Sequence, residues 1–311
     1  MEIRSPMVNC WTLGLVSLIA VGCSSSERAA RTSNETEPDR TTQPAETFAS
    51  LETTEPIETT GGVAATAGAG RWLNSDQRRR IDQLISTFEN STTDIDYAYA
   101  ENIGDGRGVT AGRAGFTTAT CDAAQVIRAY TDTVPENGLA RFIAELDRLC
   151  DEFSDDTSGL PEADYIEAWT AAARDEAFRT AQDAVVDAEY YTPAMVIADQ
   201  LSLRSAVARA ELFDAGLQHG IGDDPDGLPA LVKRTTDRVG TPKVAGETAW
   251  LDAFFDVRIE DLTNPANKAT AQGWSESTDR VACLRTIADS GNVDLDGPIT
   301  CSVYGDKFTI E

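Results

Sequence analysis

The 311-residue sequence has a single histidine, His219, and only four lysines, Lys233, Lys243, Lys268 and Lys307. Basic residues number 26 against 52 acidic ones, a formal charge of -26. That balance excludes nucleic acid as a partner, because neutralising phosphates takes clustered Lys and Arg. It suits a cationic partner or a heavily solvated acidic surface. With one histidine and no cysteines at ligand spacing, a zinc centre is excluded, and the sequence points to no other metal and no organic cofactor. The leading apolar run, Trp11 to Val21, is too short to span a bilayer.

That run has the length of a signal-peptide core, with Arg4 before it. It closes on Ala20-Val21-Gly22-Cys23, which resembles a bacterial lipobox. The reading is a signal peptide over 1–22, with Cys23 becoming a lipid-bearing first residue. The protein is then extracytoplasmic, either secreted or attached through that lipid to the outer face of a bacterial cell membrane. Residues 23–70 are rich in Ser, Thr, Glu, Pro, Ala and Gly and have little to bury, the composition of a disordered tether. Residues 71–311 form the domain, expected to act as a monomer. Setting aside Cys10 in the leader and Cys23 leaves Cys121, Cys150, Cys283 and Cys301. An even number outside the cytoplasm implies two disulfides; three pairings are possible, and proximity favours Cys121–Cys150 and Cys283–Cys301.

Helical periodicity dominates the domain. Asn74-Ser75 can cap a helix whose Ile81, Leu84, Ile85 and Phe88 share one face and whose end carries Glu89. Further faces are marked by Ala123, Val126, Ile127 and Tyr130, then by Leu139, Phe142, Ile143, Leu146 and Leu149. A longer stretch carries Tyr165, Trp169, Phe178 and Val185; Thr192-Pro193 opens another helix with Thr as cap; Trp250, Leu251, Phe254 and Phe255 line one near the end. Strand signals are confined to 103–118, broken by glycines, and 299–304. The expected class is mainly α (α+β), with a small sheet or hairpin.

Two carboxyls stand out chemically. Glu89, at the end of an apolar face, is placed for partial burial, which favours the protonated form. Asp105 lies in Ile103-Gly104-Asp105-Gly106-Arg107-Gly108, beside an arginine that favours the ionised form. One neutral and one charged carboxyl is the pair that glycoside hydrolysis needs. A surface glutamate at a helix end and an Asp-Gly turn account for the same residues without chemistry. Asp214 and Arg258 could pair inside the protein or in solvent, and His219 reads as a packed or capping residue. Asn292 to Gly297 begins like a calcium loop, but Val303 stands in place of the closing glutamate.

Glu89-Asn90, Tyr97, Asp105-Gly106-Arg107-Gly108, Thr110, Ala114-Gly115 and Asp122 together resemble the active-site signature of the family 46 chitosanases. The likeness continues in order through Trp169-Thr170-Ala171, Tyr191-Thr192-Pro193-Ala194, His219-Gly220-Ile221-Gly222-Asp223-Asp224-Pro225, Gly246-Glu247-Thr248 and Tyr304-Gly305-Asp306. The segment from Glu89 to Tyr97 is shorter than the family's, with Ile95 near the place of a tryptophan in some members. The resemblance implies a lysozyme-like fold of two mostly helical lobes with a cleft between them. It also implies endo-hydrolysis of β-1,4-glucosaminidic bonds in chitosan with inversion. Glu89 then matches the general acid, Asp105 the general base and Thr110 a residue that positions the attacking water. Arg107 matches an arginine that tunes the carboxylates, and Asp122 one that pairs with a glucosamine ammonium. Tyr99, Glu101 and Glu247 are further candidates for lining the cleft. The competing readings are a peptidoglycan-cleaving hydrolase of similar shape and a non-catalytic amino-sugar-binding lipoprotein.

Overall fold

The computed structural model describes residues 73–311, apart from Asp105, Thr120, residues 153–155 and Ala269. The leader, Cys23 and the tether lie outside the described residues, and so does Asp105. Helix α1 (Ser75–Asn90) starts as its sequence implies. The Asn74 side chain accepts from the Gln77 amide and the Gln77 side chain returns the bond, a capping box that satisfies two otherwise unpaired amides. Ile81, Leu84, Ile85 and Phe88 are buried along one face.

A three-stranded antiparallel sheet follows: β1 (Ala100–Glu101), β2 (Thr110–Ala111) and β3 (Phe116–Thr117). The strand expected over 103–118 is thus broken into two-residue pieces. Glycines 104, 106, 108 and 112 all sit at positive φ, where the chain turns instead of extending. Helices α2 (Cys121–Thr133), α3 (Ile143–Glu152), α4 (Glu162–Ala172) and α5 (Glu176–Val186) complete this half, around a cluster in which Trp169 meets Phe116, Tyr165 and Phe178.

The second half comprises α6 (Thr192–Gln200), α7 (Ala206–His219), α8 (Leu228–Val239), α9 (Pro242–Ala245), α10 (Glu247–Thr263), α11 (Ala271–Ser275) and α12 (Thr278–Asp289), then the hairpin β4 (Ile299–Val303) and β5 (Asp306–Ile310). Its axis is α7, all 14 residues of which are buried. A helix buried on every side shows no amphipathic stripe, so periodicity does not reveal it. Helix α1 packs on α7 and on the hairpin. Arg79 and Arg80 donate to the main-chain oxygen of Glu311 (2.7 and 3.2 Å), and the Gln77 side chain donates to that of Asp294 (3.0 Å). Arg113 ties α1 to the first half by reaching Asp82 at 3.0 Å and Asp183 on α5. The architecture is mainly helical with small antiparallel sheets.

Both disulfides form as proximity favours: Cys121–Cys150 joins α2 to α3, and Cys283–Cys301 joins α12 to β4. Two expectations are corrected. The stretch from Tyr165 to Val185 is two helices, because Asp175 turns extended and its carboxylate caps α5 on the Ala177 amide at 3.0 Å. Thr192 is not a cap. A five-residue π turn, Asp187–Tyr191, runs straight into α6, and the Asp187 carbonyl already accepts the Thr192 amide.

Candidate active site

Glu89 ends α1 with its side chain 16% exposed, and its Oε1 accepts a hydrogen bond from Arg280 Nη2 at 2.7 Å. The expected partial burial is there, but a guanidinium that the sequence did not announce stands beside the carboxyl. The apolar face of α1 delivers Glu89 to a guanidinium at the start of α12. Arg280 is itself buried and its Nε also donates to Asp214 Oδ2 on α7, at 3.0 Å. Asp214 Oδ2 accepts from Arg258 Nη2 on α10 at 2.6 Å. Arg258 then reaches Glu211 Oε1 at 2.9 Å, Gln218 Oε1 at 2.6 Å and His219 Nε2 at 3.3 Å. Asp214, Arg258 and Glu211 are fully buried, so Glu89 is the point at which an alternating chain of charges meets solvent.

Burial alone would raise the Asp214 carboxyl, but Arg280 and Arg258 outweigh it and hold the group below the usual carboxylate range. Burial disfavours the charged form of Arg280 too, yet Asp214 and Glu89 overcome this and fix it as a cation. For Glu211 burial wins over Arg258, and with the added repulsion of Asp214 the carboxyl is pushed up to about 7. His219, buried against Trp274 with Nδ1 3.0 Å from the Asp226 carbonyl oxygen, is held neutral by burial, against the pull of Asp261. It is a packed histidine.

The other predicted residues divide. Thr110 on β2 is fully buried, and among the described residues its Oγ1 has no hydrogen-bond partner. Arg107 is half-buried; its main-chain oxygen accepts the Ala119 amide at 3.1 Å, extending the β2–β3 pairing. Asp122 sits in the first turn of α2, where its Oδ1 accepts the Thr117 and Ala123 amides at 3.1 and 2.9 Å. Tyr99 OH donates to Glu101 Oε2 at 3.3 Å beside the exposed end of β1. Tyr190, in the π turn, is buried, and burial, then the charges of Asp122, Glu189 and Glu89, push its phenol far up. π turns recur at functional sites.

Glu247 is engaged elsewhere. Its carboxylate accepts the Arg204 amide at 3.0 Å and the Ser205 amide at 2.7 Å, capping α7 from outside. It lines a pocket of about 540 Å³ with Ser205, Leu251, Phe255 and Asp289. Asp289 ends the helix that Arg280 begins, about 13 Å further along it.

Sequence reasoning missed Arg280 and Glu211. Arg280 precedes Val281 and stands four before Leu284, so it falls on the apolar side of α12, the only available signal. Glu211 lies in an alanine-rich helix without polar and apolar faces, and nothing marks it.

The profile of Glycosyl hydrolase family 46 matches residues 83–299. The chain belongs to this family. A chitosanase of Bacillus subtilis (strain 168) is 52% identical over 229 residues, 73% of this chain and 82% of that protein. The native chitosanase from Bacillus subtilis MY002 superimposes with a TM-score of 0.72 at 50% identity, covering 77% of this chain and 100% of its own. A glutamate-to-alanine variant of that enzyme, complexed with 6 GlcN, matches equally, with a TM-score of 0.72 and the same coverage. As a family 46 member the protein is a glycoside hydrolase with the lysozyme-like α+β fold.

Proposed function

We propose that this family 46 hydrolase cuts β-1,4-glucosaminidic bonds within chitosan chains, with inversion, Glu89 acting as acid and Asp105 as base. The observation that carries the reading is the position of Glu89, the solvent-facing end of a relay whose other members are buried. When Glu89 gives its proton to the glycosidic oxygen it becomes a carboxylate, and Arg280 is already in place to stabilise that charge. The hydrogen bond strengthens as the proton leaves, and an interaction that grows toward the transition state is one that accelerates the step. Asp105 takes a proton from water on the opposite face of the sugar. Thr110 Oγ1, buried and without a partner among the described residues, supplies a group to orient that water. Arg107 tunes the pair of carboxylates from the same glycine-rich turn.

Asp122, pinned by two amides, presents a fixed negative charge to a glucosamine ammonium, and Tyr99 and Glu101, bonded to each other, are further candidates to line the cleft. The formal charge of -26 draws a polycation toward the protein, an attraction that added salt weakens. The same reading puts the enzyme outside the cytoplasm as a monomer, lipid-anchored through Cys23. Labelling with a radioactive fatty acid tests the anchor, since Cys23→Ala should abolish incorporation.

Reducing-end release from highly deacetylated chitosan tests the function. Glu89→Gln and Asp105→Asn should each lose nearly all turnover, and early product anomers followed by NMR should be inverted. More than a few per cent of activity left in Glu89→Gln would refute the acid assignment. Hydrolysis of cell-wall material in place of chitosan would reassign the substrate.

A further inference from the structure

One carboxyl of the buried relay has no part in the proposed chemistry. Glu211, inside α7, is fully buried. Its Oε1 accepts from Arg258 at 2.9 Å, and among the described residues its Oε2 has no partner. The charges around it come from four helices: Arg258 on α10, Arg280 on α12, Asp214 on its own helix and Glu89 on α1 beyond Arg280. His219, at the end of α7, contacts Arg258 and is neutral. Two guanidinium groups thus serve three carboxyls, Glu89, Asp214 and Glu211. Full ionisation leaves one excess negative charge in a site largely closed to water, and a single bound proton removes it. Asp214, gripped by both arginines, is the poorest place for that proton.

We propose that Glu211 is a positioning residue for the acid, competing with Glu89 for one proton through Arg258, Asp214 and Arg280. This inference rests on the reading of Glu89 as the proton donor. Two routes give the same sign. Through space, an ionised Glu211 adds negative charge to the cluster and so favours a proton on Glu89. Through the relay, an ionised Glu211 holds Arg258 more firmly, Asp214 leans more on Arg280, and Arg280 has less to offer Glu89. Below neutral pH Glu211 carries the proton, since burial pushes its carboxyl up to about 7. Above that pH its negative charge is present in the cluster and opposes a further one on Glu89.

The test is the pH dependence of kcat and kcat/KM on a soluble glucosamine hexasaccharide, for the wild type and Glu211→Gln. The substrate's ammonium groups titrate identically in both experiments. Glutamine still accepts from Arg258 but cannot exchange a proton. Near pH 5 the two enzymes should agree within about twofold. The alkaline limb of Glu211→Gln should lie about 0.5–1 pH unit lower. An unmoved limb overturns the inference, and so does a uniform loss at every pH, the mark of a merely structural residue. Glu89→Gln keeps the two readings apart. If it is active, the acid assignment fails; if it is inactive while the Glu211→Gln limb is unmoved, only the coupling fails. Should Glu211→Gln not fold, carboxyl 13C NMR of the wild type decides. The Glu89 signal should show a second inflection where Glu211 ionises, and a single inflection overturns the coupling.

Discussion

Replacing Arg280 by leucine tests whether the relay is a structural unit as well as part of the proposed chemistry. Arg280 serves both oxygens of the fully buried Asp214 and holds Glu89, with its guanidinium 5.3 Å from the centre of the Phe88 ring. Leucine preserves much of the packing and removes the charge, so Asp214 keeps Arg258 alone and one of its oxygens loses its partner. Stripping one member from a buried ion pair costs about 3–5 kcal/mol, mostly the penalty on the charge left behind. For a domain of this size that lowers Tm by about 10 °C. Lysine at the same place keeps the charge but, as a single ammonium, cannot span Asp214 and Glu89 as the guanidinium fork does. Arg280→Lys should therefore recover part of the stability and little of the turnover. Urea unfolding and chitosan hydrolysis on the same samples separate the two effects. A stability loss below about 0.5 kcal/mol for Arg280→Leu, the range of ordinary surface changes, would refute the reasoning.

Glu211 also predicts how stability depends on pH. Its carboxyl is pushed up to about 7 when folded, against an ordinary glutamate when unfolded, so between those values the folded protein holds a proton that the unfolded chain has lost. Stability from this group is therefore full at low pH and falls by about 3 kcal/mol as pH rises toward 7, a slope that Glu211→Gln should flatten in urea titrations at several pH values. Thr110→Val should leave Tm nearly unchanged, because among the described residues Oγ1 has no partner to lose, while turnover drops; comparing melting with kcat checks it. Removing the Cys121–Cys150 bridge, which spans 29 residues, should cost about 3–4 kcal/mol by chemical denaturation.

The readable parts of this fold are those with one wet and one dry side. Helix α1 announced its cap, its apolar face and its end because Asn74 and Phe88 bracket a two-sided element. Helix α10 showed its aromatic residues for the same reason, and Ile299–Val303 alternates buried and exposed as a half-covered strand must. Helix α7 gave no such contrast, being enclosed throughout, and it carries the charged residues that matter most behind Glu89. Breaks were hidden as well. Whether Tyr165 to Val185 is one helix or two depends on Asp175 choosing to cap, and its partner Tyr130 comes from another helix, 2.8 Å away. Glu89 stood out as a candidate from its motif, but its environment did not: Arg280 lies 191 residues further along the chain. Glu247 shows the converse, a residue marked by its neighbours that the fold uses to start α7.

The anchoring of α1 gives the molecule a built-in order of assembly. The helix that presents Glu89 is made early, yet Arg79 closes on an oxygen 232 positions later. A ribosome that has finished Glu89 and Asp105 has still not finished the part that seats the first of them. Chains interrupted before β5 should therefore be inert, however intact their signature sequence.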